Sequence, residues 1–256
     1  MKSLSLRLAL AGLFSALTLG MAHAADVPVL IAKANAGDAL AMVDVGVAYE
    51  YGTGVDLNLA TAVSWYRKAA DKGNATGLAY LGDMYSRGAG VPADPAEAAR
   101  LYKLAIAKDN TEAMVSLGAL YENGKGVTKS ISEAVKLYRL AADKGNARGT
   151  TYLGDMYLNG DGVTADPKEA LRLYRIAADK GYGGAMLDIG TLYENAKGVA
   201  KDDAEAARWY RKGADAGNAK AMWYLGDMYA NGTGVAKSND DAIAWYGKAK
   251  AAGYMP

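Results

Sequence analysis

Leu81-Gly82-Asp83-Met84-Tyr85 returns as Leu153-Gly154-Asp155-Met156-Tyr157 and again as Leu225-Gly226-Asp227-Met228-Tyr229, each copy 72 residues after the one before. Looser versions stand midway, at Val45-Gly46-Val47-Ala48-Tyr49, Leu117-Gly118-Ala119-Leu120-Tyr121 and Ile189-Gly190-Thr191-Leu192-Tyr193, so the unit is 36 residues long. A period of that length marks a solenoid, in which each unit buries its apolar face only against its neighbours. Six units cover 37–72, 73–108, 109–144, 145–180, 181–216 and 217–252, with a tail at 253–256.

Each unit reads as two helices. In the second, Leu78, Leu81, Met84 and Tyr85 share one face at helical spacing, Asn74 is placed to cap the start and Gly88 to end it in a left-handed turn. The second helix opens Asp94-Pro95-Ala96-Glu97, an acid cap, proline at the first helical position and a capping-box glutamate. Asp166-Pro167-Lys168-Glu169 repeats the device, and Ser130 with Glu133 and Asp202 with Glu205 give it without proline. That helix buries Ala98, Leu101, Tyr102 and Ala105 and stops at a glycine, except that Asp109 opens the third unit, where the junction is expected to be less well formed.

Every first helix carries an interior glycine, Gly46, Gly82, Gly118, Gly154, Gly190 or Gly226. Each costs about 1 kcal/mol against alanine. Six in register need a compensating gain, and close approach of the paired helix supplies one, with Ala62, Ala98, Ala134, Ala170, Ala206 and Ala242 as the facing contacts. Tyr66, Tyr102, Tyr138, Tyr174, Tyr210 and Tyr246 then fill the space between layers.

Ahead of the units, residues 25–36 match the second half of a repeat and read as a short N-terminal capping helix. Residues 1–24 read as a secretory signal peptide: Lys2 and Arg7, a 13-residue apolar run from Leu8 to Gly20, and Ala22-His23-Ala24 before cleavage at Ala25. The run is too short for a membrane span of about 20 residues, and no later run is apolar enough either. His23 and Phe14 are the only residues of their kinds and cysteine is absent, so the mature chain has no His, Phe or Cys and no disulfide. Of 29 bases, 27 remain after Lys2 and Arg7 leave, against 28 acids, a net charge of −1 that gives no case for nucleic acid.

The pattern Leu81-Gly82-x-x-Tyr85, Gly88-x-Gly90-Val91, Asp94, Ala98, Tyr102 and Ala105 resembles the Sel-one-like repeat (SLR), a relative of the tetratricopeptide repeat. The resemblance covers 37–252; Ala196, in place of the first loop glycine of the fifth unit, and Gly247, inside the last helix, depart from it. It implies an all-α fold, a right-handed α/α superhelical solenoid whose first helices line a concave surface for protein recognition. Bacterial members include envelope regulators, host-directed factors and immunity proteins. A cysteine-rich branch is linked to β-lactams, but this chain has no Ser-x-x-Lys and no cysteine.

Catalysis by histidine or cysteine and the usual zinc sites are excluded for the mature chain, and no cofactor is implied. Gly124-Lys125-Gly126 lies in a helix-helix turn and lacks phosphate-loop spacing. Under the solenoid reading, the concave groove carries one carboxylate per repeat: Glu50, Asp83, Glu122, Asp155, Glu194 and Asp227. All six, the aspartates among them without evident capping or packing role, are assigned to partner binding together with Tyr80, Tyr152, Tyr224 and Trp223. The plainer alternatives are a solvated helix face with pairs such as Asp83 with Arg87, and ordinary packing of the aromatics at the groove edge. Asn123, Asn159, Asn195 and Asn231 are read as helix-ending residues. Trp65, Trp209 and Trp245 belong to the core, although the last helix is expected to expose Ile243, Trp245 and Tyr246. The function expected is that of an exported, non-enzymatic module binding a protein or peptide. Alternatives are an immunity protein against a secreted toxin enzyme such as a phospholipase, a regulator docking on a sensor's outer domain and, least favoured, a β-lactam hydrolase.

Overall fold

The structure is a computed structural model and describes residues 27–256. The signal-peptide reading and its cleavage point lie outside these residues. The described residues form thirteen helices and no strand: α1 (Val27–Asn35), α2 (Ala39–Tyr51), α3 (Leu59–Asp71), α4 (Ala75–Arg87), α5 (Pro95–Ile106), α6 (Thr111–Asn123), α7 (Ile131–Asp143), α8 (Ala147–Asn159), α9 (Pro167–Asp179), α10 (Gly183–Glu194), α11 (Asp203–Asp215), α12 (Ala219–Asn231) and α13 (Asn239–Ala251). After the capping helix α1, they alternate as first and second helices of six repeats, an all-α solenoid. Two compact units divide at Ser130 and Ile131, α1 to α6 in one and α7 to α13 in the other.

Local chemistry sets the helix ends. Asn74 Oδ1 accepts from Gly77 N–H at 2.8 Å, and Asp94 Oδ1 from Ala96 and Glu97 N–H at 3.1 and 3.0 Å. The capping-box glutamates, however, do not reach back. Glu97, Glu169 and Glu205 instead grip Arg100, Arg172 and Arg208 at 2.6–2.7 Å. The reason is that the N-cap N–H is already spent: Asp94 N–H donates to the Tyr85 carbonyl at 2.9 Å, Asp166 to Tyr157 at 2.7 Å and Asp202 to Tyr193 at 3.1 Å. That bond, from the start of the second helix to the end of the first, closes each hairpin.

Gly88 ends α4 in the left-handed region at φ 67°. At the third junction Asp109 adopts the same conformation, φ 62°, and keeps both bonds of the glycine junctions, Asp109 N–H to Ile106 O at 2.9 Å and Asn110 N–H to Ala105 O at 3.1 Å. The expected loss of order there is not seen, because aspartate tolerates that conformation better than most residues.

The interior glycines answer to a different partner from the one expected. The alanines facing them are buried, yet what lies on Gly46, Gly82, Gly154, Gly190 and Gly226 is a tyrosine ring. A Cβ on Gly82 would meet Tyr102 Cε1 at 2.7 Å, one on Gly154 would meet Tyr174 Cε1 at 2.6 Å and one on Gly226 would meet Tyr246 Cε1 at 2.6 Å. Tyr66 and Tyr210 sit on Gly46 and Gly190 in the same way. The glycine thus makes room for the largest side chain of the core, and ring burial offsets its poor helix propensity.

Gly247 is the contrast, since a Cβ there would have nothing within 4 Å. Replacing Gly154 by Ala should lower stability by about 1–3 kcal/mol through overpacking against Tyr174. Gly247→Ala should raise it by about 1 kcal/mol. Urea unfolding of the two variants beside the parent chain checks both signs.

Candidate functional site

Sequence places six carboxylates on the first helices, and the contacts of five of them, Glu50, Asp83, Asp155, Glu194 and Asp227, share a common purpose. Tyr102 Oη donates to Asp83 Oδ1 at 2.6 Å, Tyr174 to Asp155 at 2.7 Å and Tyr246 to Asp227 at 2.7 Å. Tyr66 donates to Glu50 Oε2 at 2.7 Å and Tyr210 to Glu194 Oε2 at 2.6 Å. The expectation that the aspartates take no part in the core is therefore corrected: each holds the hydroxyl of the tyrosine that lies on its own repeat's glycine.

Asp and Glu are two solutions to one problem. Glu50 and Glu194 stand three residues beyond the register of Asp83, one turn along the same face. Side chains lean toward the helix N-terminus, and the extra methylene of glutamate bridges the added turn to the same hydroxyl. In the fifth repeat Thr191, at the aspartate register, also stands 3.4 Å from Tyr210 Oη.

The predicted aromatics are half-buried and packed along the same line. Tyr80 stacks on Tyr66 of the preceding repeat, centroids 5.0 Å apart and planes within 10°. Tyr152 tilts onto Tyr138 at 5.2 Å and Tyr224 meets Tyr210 edge-on at 5.3 Å. Trp223 lies 4.3 Å from Tyr246 within the last repeat, with Tyr254 6.1 Å away. The exposure expected of the final helix holds for Ile243, at 69%, and not for Trp245, at 7%, which is covered by Lys248 at 3.8 Å and Arg211 at 5.2 Å.

Glu50 differs from its counterparts in being buried, at 6% exposure. Its second oxygen takes Arg87 at 2.7 Å, so a charge pair ties the first repeat to the second. Arg87 also donates to the Asp83 backbone carbonyl at 3.3 Å. Asn123 and Asn195 close their own helices, donating to the carbonyls of Ala119 at 2.7 Å and Thr191 at 2.9 Å.

Sequence reasoning missed one contact altogether. Arg67 donates to Tyr85 Oη at 3.0 Å, Arg139 to Tyr157 at 3.1 Å and Arg175 to Tyr193 at 3.0 Å, and Arg211 does the same to Tyr229. Each pair crosses from a second helix to the next first helix. The signal was a constant spacing of 18 residues, half a period. Tyr85 and its equivalents are thus half-buried, their rings inward and their hydroxyls on arginine.

Burial and the adjacent carboxylates push the phenols of Tyr66 and Tyr210 far above their ordinary range, and that of Tyr246 up to about 12. Among the described residues no group of three or more His, Cys, Asp or Glu could hold a metal ion, and no helix is long and apolar enough to cross a membrane. What the face offers is acceptor oxygens held in place by core hydroxyls, with aromatic edges beside them.

Asp155→Ala should cost about 1–3 kcal/mol, because it strands the Tyr174 hydroxyl, and Tyr174→Phe should cost less, since its carboxylate stays hydrated. The double variant should recover part of the loss, which a double-mutant cycle by thermal unfolding measures. A pH titration gives a second check. A phenol raised from 10 in the unfolded chain to about 12 at Tyr246 contributes stability fully present below pH 10 and lost as pH climbs from 10 through 12. Tyrosinate absorbance should therefore show a class of tyrosines that ionises only as the helices unfold.

The Sel1 repeat matches residues 39–74, 75–110, 111–146, 147–182, 184–218 and 219–254, nearly all of the described chain. No curated protein sequence matches it. A Sel1 repeat protein from Oxalobacter formigenes is similar at 33% identity and TM-score 0.73, over 86% of this chain and 88% of that one. A protective antigen of uropathogenic Escherichia coli with an SLR fold is 36% identical at TM-score 0.66, over 89% of this chain and 49% of that one, so the chain spans about half of that protein's length. An immunity protein from Pseudomonas aeruginosa shares the fold at 21% identity and TM-score 0.67, over 84% of this chain and 82% of that one. With six repeats matched in register and their tyrosine, glycine and cap positions accounted for by packing, the chain belongs to the Sel1 repeat family.

Proposed function

We propose that the chain is an exported, non-enzymatic interaction module, cleaved between Ala24 and Ala25, that works in the periplasm or outside the cell. Its partner is a protein or peptide. The binding face is that of the first helices, with Asp83 and Glu122 in one unit and Asp155, Glu194, Asp227, Tyr152, Tyr224 and Trp223 in the other. Glu50 and Tyr80 belong to the same face at its start, Glu50 as a buried support. The observation that carries this reading is the manner in which the carboxylates are held. A half-exposed Asp227 whose oxygen is clamped by Tyr246 has little rotamer freedom left to lose on binding, and a carboxylate accepts more hydrogen bonds than the one it already has.

The family supplies the general role, since Sel1 repeats are protein-interaction modules. Between the finer readings, an immunity protein that blocks a toxin enzyme rests on export and the family; solved immunity proteins share the fold. At that identity the likeness carries the fold alone. A regulator docking on a sensor's outer domain uses the same face.

The test is affinity capture from a periplasmic extract with the full chain, followed by binding measurements on the captured protein. Truncating the aspartates to alanine would strand core hydroxyls, so the informative change is Asp83→Asn, Asp155→Asn and Asp227→Asn together, which keeps an acceptor oxygen for each tyrosine and removes the charge. Affinity should fall about tenfold or more, the equivalent of roughly 1.4 kcal/mol, with the melting temperature little changed. Unaltered affinity sinks the assignment of this face. A captured toxin enzyme that the chain inhibits decides for immunity, and a captured sensor domain for regulation.

A further inference from the structure

The fifth repeat departs from the others along the whole length of its first helix. At the N-cap of α10 stands Tyr182, whose side chain makes no cap hydrogen bond, where α4, α8 and α12 have asparagines that accept from the third residue of the helix. The first turn is Gly183-Gly184, with the Tyr182 ring lying over Gly184, and Gly190 follows, so the 12-residue helix holds three glycines. It ends one residue early, because Ala196 has to take the left-handed turn, at φ 56°, that a glycine makes in the neighbouring repeats.

α10 is docked by apolar burial, with Ala185, Ile189 and Leu192 packing with Ala170, Leu171 and Tyr174, by Arg175 on Tyr193 and by Tyr210 on Glu194 and Thr191. Such contacts hold a helix in place without supplying the nucleation that its ends lack. Packing supplies most of a helix's stability, so the missing cap and the missing turn glycine lower the free energy of locally opening α10 without removing its docking contacts.

We propose that α10, with the turn at 195–199, is a built-in opening point of the array. It loosens while α8 and α9 stay folded, and so changes the spacing between Asp155 on α8 and Asp227 on α12 as a partner docks. The device is independent of which partner is bound.

Hydrogen exchange of the full chain, read by mass spectrometry as protection factors, tests it. Amides of residues 184–194 should be about tenfold less protected than those of residues 148–158 in α8, and less protected than those of α12. The double variant Tyr182→Asn with Ala196→Gly, which restores the cap and the turn, should bring α10 to within about threefold of α8. Equal protection of α8 and α10 would overturn the proposal. So would a steady loss toward the C-terminus with α12 opening before α10, which marks end fraying, or a double variant with unchanged exchange in α10.

Discussion

A tyrosine laid on a glycine, with its hydroxyl held by a carboxylate from the glycine's own helix, is the contact on which the first, second, fourth, fifth and sixth repeats depend. The ring is the largest group in the core, and five of the six are essentially without exposure. Burying a phenol is favourable only if its O–H finds an acceptor, since a stranded hydroxyl costs about 1–3 kcal/mol. The glycine admits the ring, and the carboxylate satisfies its tip. Both requirements fall on one helix, at adjacent residues in Gly82-Asp83, Gly154-Asp155 and Gly226-Asp227.

The two-repeat alternation follows from the same contact. Where the acceptor is Asp, the residue three positions earlier is a tyrosine that covers the previous repeat's ring, as Tyr80 covers Tyr66, or Tyr224 meets Tyr210. Where it is Glu, one turn later, that earlier position is Asp44, Ser116 or Asp188. The 72-residue identity in the pentapeptide is thus a physical period: Asp83, Asp155 and Asp227 satisfy the tyrosine hydroxyl from one register, Glu50 and Glu194 from the other. Arg67 with Tyr85 and its three equivalents add a directional bond between a second helix and the next first helix. Arg87 with Glu50 adds a charge pair buried at its glutamate end.

These arrangements bear on recognition because the same groups are core at one end and surface at the other. On the proposed reading, a helix face whose acceptors are oriented from behind is prepared for a partner before the partner arrives. Substitutions on it act on fold and binding together, so charge and size have to be changed separately to tell the two apart. The fifth repeat stands apart from this rigidity, since its first helix has the apolar contacts of the others without their ends.

The 36-residue period, the two-helix unit, the caps at Asn74 and Asp94 and the buried tyrosines were legible in the residues, because helix ends and apolar stripes are local properties that repeat with the chain. Asp109 and the capping-box glutamates were misjudged for a reason equally local in appearance: the competing bond, Asp94 N–H to the Tyr85 carbonyl, joins residues on two helices. The same holds for the ten residues proposed to meet a partner. Their types and spacing marked them out, but that Asp83 answers Tyr102, Tyr80 covers Tyr66 and Trp223 lies against Tyr246 depends on which helix packs on which, at what rotation. Sequence by itself determined the repeat, its helices and the polar row; only the tertiary structure decided that the row completes the core, since a hydroxyl 16 or 19 residues away along the chain becomes a neighbour only when two helices have closed on each other.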